Sequence, residues 1–425
     1  MRIAHVIHRY PPALGGAEAY FARLSRYLVE HGENVIVLTT DAYDLEAFWS
    51  PRGRRLPTGE SQQDGVCVRR FAIEHRIGQR YWRKLLSLIP IPRWQAFQLP
   101  CNPRAPDLWW TCNEATGFDV VHASALPYAY PLLCAERLAR RCQAPFLLTP
   151  FLHLGDVASP RDRTRRAYLA PAMRYVMHRA DALFVQTHLE RDALKSVGIP
   201  ENRILVQGLG VEPGECTGGN RREARRRWGI PADAVVVGHL ANKSVEKGTV
   251  DLLHAMRHVW QHHPEARLLL AGPEMPNFQA VWRMFAGERR ICNLGVLSEQ
   301  EKRDFYAASD IFALPSRSDS FGLVLLEAWA NAVPSVAYRA GGLAEVVRHE
   351  RDGLLVPCGC ITALAEALGE LIGNPAKRRI LGQAGQRRVV TEHRWQPKLD
   401  LVRETYRRLA AERSPGSAQR RLQAA

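Results

Sequence analysis

No apolar run in this chain of 425 residues approaches the roughly 18 residues that a membrane span requires. The opening stretch MRIAHVIHRYPP is too short in its apolar part, and too broken by histidine, to read as a signal peptide. The chain is therefore expected to be made and kept in the cytoplasm. Cysteine is sparse and scattered. The close pair Cys358 and Cys360 has no second cluster of Cys or His at zinc spacing, which points to reduced thiols. Acid is in deficit: 43 Asp and Glu against 58 Lys and Arg leave a formal charge of +15. That imbalance implies attraction to something anionic, whether a phosphate-bearing substrate, a nucleic acid or a membrane surface. Lysine is scarce too, because arginine carries most of the positive charge.

What is present is an alternation of short β-branched runs and helical patterns. RIAHVIHR, ENVIVLTT, DVVHAS, PFLLTP and ALFVQT occupy the first half, and AVVVGHL, RLLLAG, DIFALP, PSVAY and GLLVP the second. Strands alternating with helices predict parallel sheets covered on both faces. Two such sets predict two Rossmann-like, doubly wound α/β domains. The joint falls in GLGVEPGECTGG, where glycine, proline and acids concentrate after RILVQG. Residues 49–66 read as a polar, turn-rich insertion, and residues 81–106 mix aromatics, prolines and arginines.

Four segments carry candidate chemistry. In PSRSDSFGLVLLEAWANAVPSV, DIFALP just before it is a strand, SRSDS the loop at its C-terminal end, and FGLVLLEAWANA a helix with Gly322 in its first turn. Ligands of open α/β sheets bind at that end of the strands, and a helix start offers free N–H groups and a positive dipole to a phosphate. Asp319 would then suit the hydroxyls of an attached sugar, and Glu327 a diol such as a ribose; the alternative is a helix-start acid and a solvated glutamate. In VVVGHLANKSVEKGTVDLLHAM, Lys243 and Lys247 lie four apart at the end of a strand, before Gly248. They suit a diphosphate as point charges, or else form a solvated surface pair. In RYPPALGGAEAYFARL, Gly15 and Gly16 let backbone approach a ligand, without the G-x-G-x-x-G dinucleotide spacing. His153 of LLTPFLHLGD follows a strand into the same crevice, where it is either structural or catalytic.

Taken together these segments resemble the retaining glycosyltransferases of the GT4 family, which have the GT-B architecture of two Rossmann-like domains facing across a cleft. The resemblance runs from PPALGGAEAYFARLSRYLVEHGENVIVLT through ADALFVQTHLERDALKSVGIPENRILVQGLGVE to SDSFGLVLLEAWANAVPSVAYRAGGLAEVVRHERDGLLVP. It implies an acceptor-side domain over residues 1–208 and a nucleotide-sugar domain over 209–391. A helix of about 392–413 would return to the first domain, and 414–425 would be a disordered tail. It implies that Phe321, Gly322 and Leu323 contact the donor's phosphates and sugar and that Glu327 holds its ribose. Lys247 would neutralise the diphosphate beneath the Gly15–Gly16 loop. His153 would lie beside the transferred sugar, and Gly295 to Leu297 would form the base pocket.

Two departures stand out. The first acid of the motif is Asp319 where the family usually has glutamate. The family arginine after the strand's glycine is here His239, with a longer loop to Lys247, so Lys243 or His239 is expected to replace it.

The resemblance further implies a metal-independent transfer with retention, catalysed by His153, Lys247 and Asp319, from a nucleoside-diphosphate-sugar to a glycan, lipid-linked or small-molecule acceptor. No cofactor or metal is expected, since no paired acids of the D-x-D sort follow a strand. The aromatic-basic segment 81–94 reads equally as a site of peripheral association with an anionic membrane and as a packed helix with a basic outer side. Rival readings are a catalytically silent partner subunit of the same architecture, a phosphorylase or sucrose-synthase-like enzyme, and a nucleic-acid binder using the arginines at 161–166 and 221–227. The last lacks any reader motif, so a solvated face is the preferred reading of those clusters and no nucleic acid is expected.

Overall fold

The computed structural model describes residues 1–76 and 78–413. The tail expected to be disordered lies outside the described residues. The first sheet contains β1 (Arg2–Ile7), β2 (Asn34–Thr40), β3 (Gly59–Gln63), β4 (Val66–Phe71), β5 (Val120–Ser124), β6 (Phe146–Leu148), β7 (Ala182–Val185) and β8 (Ile204–Val206), in the order β3-β4-β2-β1-β5-β6-β7-β8. All neighbours are parallel except β3 and β4. The second sheet is wholly parallel: β9 (Val236–Leu240), β10 (Arg267–Ala271), β11 (Ile291–Asn293), β12 (Ile311–Leu314), β13 (Ser335–Tyr338) and β14 (Gly353–Val356), in the order β11-β10-β9-β12-β13-β14. The central strands are buried on both faces, which is why they read as continuous apolar runs.

The insertion at 49–66 contains a strand that its composition hides. GESQQ is polar, yet it pairs with β4 because Asp64 and Gly65, at φ of 50° and 77°, form the two-residue turn that suits the twist of a hairpin. As an edge strand it needs no apolar face.

Strand order reverses between β1 and β5 in the first sheet and between β9 and β12 in the second. Each reversal opens a crevice at the C-terminal ends of the strands. The loops that flank the second crevice carry Lys247, after β9, and Asp319, after β12.

The last helix, Trp395–Arg413, returns to the first sheet. Its Tyr406 Oη meets His5 Nε2 of β1 (3.2 Å) and His122 Nδ1 of β5 (2.5 Å), and Arg413 pairs with Asp181. His5 and His122 face each other in register, so one tyrosine hydroxyl serves two imidazoles that burial keeps uncharged.

Candidate functional site

Two loops of the second domain and one of the first meet in the crevice. The Lys247 ammonium donates to Asp319 Oδ2 at 2.7 Å. Burial, the largest single influence, would raise the Asp319 carboxyl, but the Lys247 charge, His153 and the hydrogen bonds from Lys247 and Phe321 together outweigh it, so the group stays below its ordinary range. His153, from the loop after β6, joins this pair. Burial, aided by the Lys247 charge and opposed by Asp319, pushes its imidazole down to about 4. The ring is neutral at pH 7 and lies against Tyr168, with centroids 5.1 Å apart. Two residues earlier, Phe151 holds a left-handed φ of 49°, and its ring packs edge-on against Tyr20.

Asp319 is held by a glycine pair. Gly342 N–H donates to the Asp319 carbonyl (2.8 Å), and Gly341 N–H crosses to the carbonyl of Gly155 in the first domain (2.7 Å). A Cβ at Gly342 would lie 1.9 Å from the Ser320 oxygen, and one at Gly341 2.2 Å from the Asp319 oxygen. Only glycine allows this approach. The same seam includes an antiparallel bridge of Asp156 with Ala340, and Gly155 N–H donates to Ser318 Oγ at 3.2 Å.

The following helix is Leu323–Ala330. Gly322 precedes it as the cap, rather than lying in its first turn, because its φ of 86° is left-handed; a Cβ there would meet Leu343 at 2.5 Å. Phe321 is buried, and its N–H makes a long 3.5 Å contact with Asp319 Oδ1.

Further along the helix, Glu327 is not a solvated glutamate. Its Oε1 pairs with Lys302 at 2.7 Å and its Oε2 accepts from Tyr306 Oη at 2.6 Å. Each oxygen keeps a lone pair for another donor. Glu327, Leu323 and Lys302 line a cavity of about 420 Å³ whose opposite wall is Ala19 and Arg23 of the helix Gly16–Glu30, with Trp395 between. That size lies in the range of small-molecule sites.

Gly15 caps that helix, and its Cβ position is occupied by the Glu18 carboxylate, whereas a Cβ at Gly16 would meet nothing. Glu18 is buried and pairs with Arg9 at 2.5 Å. On the far side, Gly295 is exposed and its carbonyl accepts from Gly272 N–H, while Leu297 is half-buried, just before the capping box of Ser298 and Glu301.

Lys243 and His239 do not join the cluster, which corrects their assignment to the donor's phosphates. The Lys243 side chain is 1% exposed, and its ammonium donates to Glu274 (3.2 Å), Asn293 Oδ1 (2.5 Å) and the Leu294 carbonyl (2.8 Å). All three N–H groups are used. His239 is fully buried, with Nδ1 against the Ala313 carbonyl and Nε2 against Thr249 Oγ1, and burial pushes it down to about 4. Of the arginines at 221–227, Arg225 alone turns inward, buried on Asp310 and the carbonyls of Ala308 and Ala234; Arg221, Arg222, Arg226 and Arg227 are exposed, Arg227 pairing with Asp304. Apart from Arg225 the run is the solvated face expected of it.

Residues the sequence reading missed are Lys302 and Tyr306, which hold Glu327, and Glu345, which joins the domains. A signal existed for the first two: Lys302 and Tyr306 lie four apart, on one face of a helix. Among the described residues, no group of three or more His, Cys, Asp or Glu side chains is placed to hold a metal ion.

Comparison with known proteins bears on this architecture. The family model "Glycosyl transferases group 1" matches residues 220–388, and "Glycosyl transferase 4-like domain" matches residues 15–210. The chain belongs to the group 1 glycosyltransferases of the GT4 family. A D-inositol 3-phosphate glycosyltransferase of Corynebacterium urealyticum is 31% identical over 260 residues, which cover 58% of this glycosyltransferase and 61% of that relative. A 2-deoxystreptamine N-acetyl-D-glucosaminyltransferase of Streptomyces fradiae is 27% identical over 381 residues, 86% of this chain and 85% of the relative. Among solved structures, sucrose-phosphate synthase from Thermosynechococcus elongatus superposes with a TM-score of 0.72 at 21% identity, covering 96% of this chain and 99% of the other. Anabaena HepE in complex with UDP-glucose gives 0.71 at 19% identity, covering 96% and 100%. At such identities these neighbours establish the GT-B fold, in agreement with the sequence expectation.

Proposed function

We propose that this glycosyltransferase moves a hexosyl group from a nucleoside-diphosphate-sugar to an acceptor hydroxyl with retention at the anomeric carbon and without a metal. The observation that carries this reading is the convergence of His153, from the first domain, on the Lys247–Asp319 pair of the second, at the start of the helix that bears Glu327. A relative solved with UDP-glucose supports the donor class.

In this reading the ribose diol donates to the free lone pairs of Glu327, whose carboxylate Lys302 and Tyr306 already orient. The diphosphate lies between the N–H groups at the start of Leu323–Ala330 and the Lys247 ammonium, which has two N–H groups left beside the one given to Asp319. The base lies along Gly295 to Leu297, and Gly16 leaves room for the backbone to close on the phosphates. As the bond from the anomeric carbon to the phosphate oxygen breaks, negative charge grows on the β-phosphate. Preorganised donors of this kind are each worth about 3–4 kcal/mol. The acceptor oxygen bonds to the anomeric carbon from the same face, and its proton passes to the departing phosphate oxygen. Neutral His153 and Asp319 bind the sugar's hydroxyls. The acceptor is a glycan, a lipid-linked precursor or a small molecule held by the first domain.

A catalytically silent nucleotide-sugar-binding subunit is the second reading. The inward placement of Lys243 and His239 favours it, since one cation remains where the family uses two. Calorimetry with UDP, GDP and ADP in EDTA tests both readings, followed by proton NMR of product from the matching sugar nucleotides. Binding of one nucleotide that is lost in Glu327→Ala, with an α-linked product from an α-linked donor, is the expected result. Binding without turnover would establish the silent subunit, and no binding would remove both.

A further inference from the structure

The chain between Glu74 and Asp107 holds six cations and no acid. Its first helix, Gln79–Leu86, and the turn that follows present their apolar side chains to solvent, while the second, Pro92–Gln98, exposes Trp94 and buries Ala96. Tyr81 is 81% exposed, Leu88 70%, Trp82 66%, Leu85 57% and Ile91 56%. Most of the large, exposed apolar side chains among the described residues lie within 81–94. Arg80, Lys84 and Arg93 are exposed among them. A water-facing helix does the reverse, burying its apolar stripe. Here the buried member is Arg83, whose guanidinium donates to the Asn102 carbonyl at 3.0 Å.

Fraying does not explain the exposure. Trp94 Nε1 donates to the Leu86 carbonyl (3.0 Å), Gln95 to the Ser87 carbonyl (3.2 Å), and Asn102 to the Ala96 carbonyl (2.8 Å), so the two helices are locked together from inside. Behind them lies a mainly apolar cavity of about 560 Å³, lined by Ile89, Ile91, Trp94, Phe97 and Trp109, with Arg93, Arg137 and Arg140 also at its walls.

We infer that this surface docks on an anionic lipid bilayer, Tyr81, Trp82, Leu85 and Leu88 entering the headgroup and acyl boundary while Arg80, Lys84 and Arg93 meet lipid phosphates. Aromatic and aliphatic side chains interleaved with cations match that interface chemically. A second copy of the chain fits poorly, because it would oppose the same cations. A nucleic acid would leave the aliphatic side chains without a partner. An acyl chain occupies the cavity behind Ile91. Docking of this surface is independent of the transfer reaction. It does place the site conveniently: the segment leaves β4 at the same edge of the sheet that bears the crevice.

The test is co-sedimentation of the full chain with vesicles of equal parts phosphatidylglycerol and phosphatidylcholine, against vesicles of phosphatidylcholine alone. Three proteins are compared: the wild type, Trp82→Ser with Leu88→Ser, and Arg80→Glu with Lys84→Glu. Thermal midpoints verify that each is folded; these exposed side chains contribute little to stability. The expected result is binding to the anionic vesicles, weakened about tenfold or more in each variant, as two surface cations or two inserted side chains predict. Tryptophan emission should shift to the blue on binding, with a smaller shift in the Trp82→Ser protein. Absence of binding, equal binding to neutral vesicles, or variants that bind like the wild type would overturn the inference. So would a lipid-free dimer that Leu88→Ser dissociates.

Discussion

The carboxylate of Glu345, in the second domain, accepts hydrogen bonds from the backbone N–H groups of His188 and Leu189 in the first, each at 2.9 Å. A side chain of one domain thereby caps the helix His188–Ser196 of the other, where the dipole favours negative charge. Together with the Gly155–Gly341 contact it fastens the cleft on the side of His153. Glu345→Ala is expected to cost about 1–2 kcal/mol, the value of a lost cap. Hydrogen exchange at the His188 and Leu189 amides should quicken, and small-angle scattering should show a larger radius of gyration. Unchanged exchange would mean that the cap does not hold the domains together.

Lys243 and Lys247 should fail in different ways. Lys243→Met strands the Asn293 and Leu294 acceptors and the Glu274 carboxylate, and is expected to lower stability by about 2–4 kcal/mol in chemical denaturation. Lys247→Met should weaken nucleotide binding or turnover far more than stability, since its side chain is 27% exposed. Reversal of that pattern would return Lys243 to the donor site.

The partners of Glu327 grade its role. Glu327→Ala should lower nucleotide affinity by about 1.5–3 kcal/mol for each charge-assisted bond lost. Tyr306→Phe leaves the carboxylate in place but less firmly oriented, and a loss of affinity smaller than that of Glu327→Ala is expected by calorimetry. Equal affinities in all three proteins would remove the ribose from this cavity.

Acid should destabilise the fold above the usual carboxylate range. His153, His239 and His393 are each pushed from 6.5 to about 4, and His5 to about 3, chiefly by burial. Between these values the unfolded chain binds protons that the folded chain does not, so stability falls as pH drops from 6.5 toward 4. The Lys247–Asp319 pair acts lower: the depressed carboxyl contributes stability at pH above 3.8 that is lost as pH falls through its folded value. A thermal midpoint that stayed level from pH 6.5 to 4.5 would contradict the burial of these imidazoles.

Glycine pairs give a steric test. Gly342→Ala drives a Cβ against the Ser320 carbonyl of the loop that carries Asp319, and should cost about 1–3 kcal/mol, as overpacking does. Gly214→Ala, where a Cβ meets open space, should leave stability nearly unchanged in the same denaturation measurement.

The strands were legible because burial on both faces demands apolar runs such as VVHAS and SVAY, and the crevice was legible because loops after such strands are where ligands bind. What failed were features set by distant partners. Nothing near Lys243 reveals that Asn293, some fifty residues on, closes over its ammonium. The orientation of Glu327 is ambiguous among Leu323, Leu325 and Leu326 until Lys302 and Tyr306 arrive from another helix. β3 was hidden because an edge strand needs no apolar side chains, only the turn at Asp64 and Gly65.

The helix Trp395–Arg413 completes the first domain from the far end of the chain. A ribosome releases β1 and β5 long before Tyr406, so His5 and His122 wait without their hydroxyl partner through the synthesis of the entire second domain. The half made first is finished last. Translation order and folding order are thereby uncoupled, and a nascent chain halted before residue 395 would present an open apolar flank that chaperones recognise.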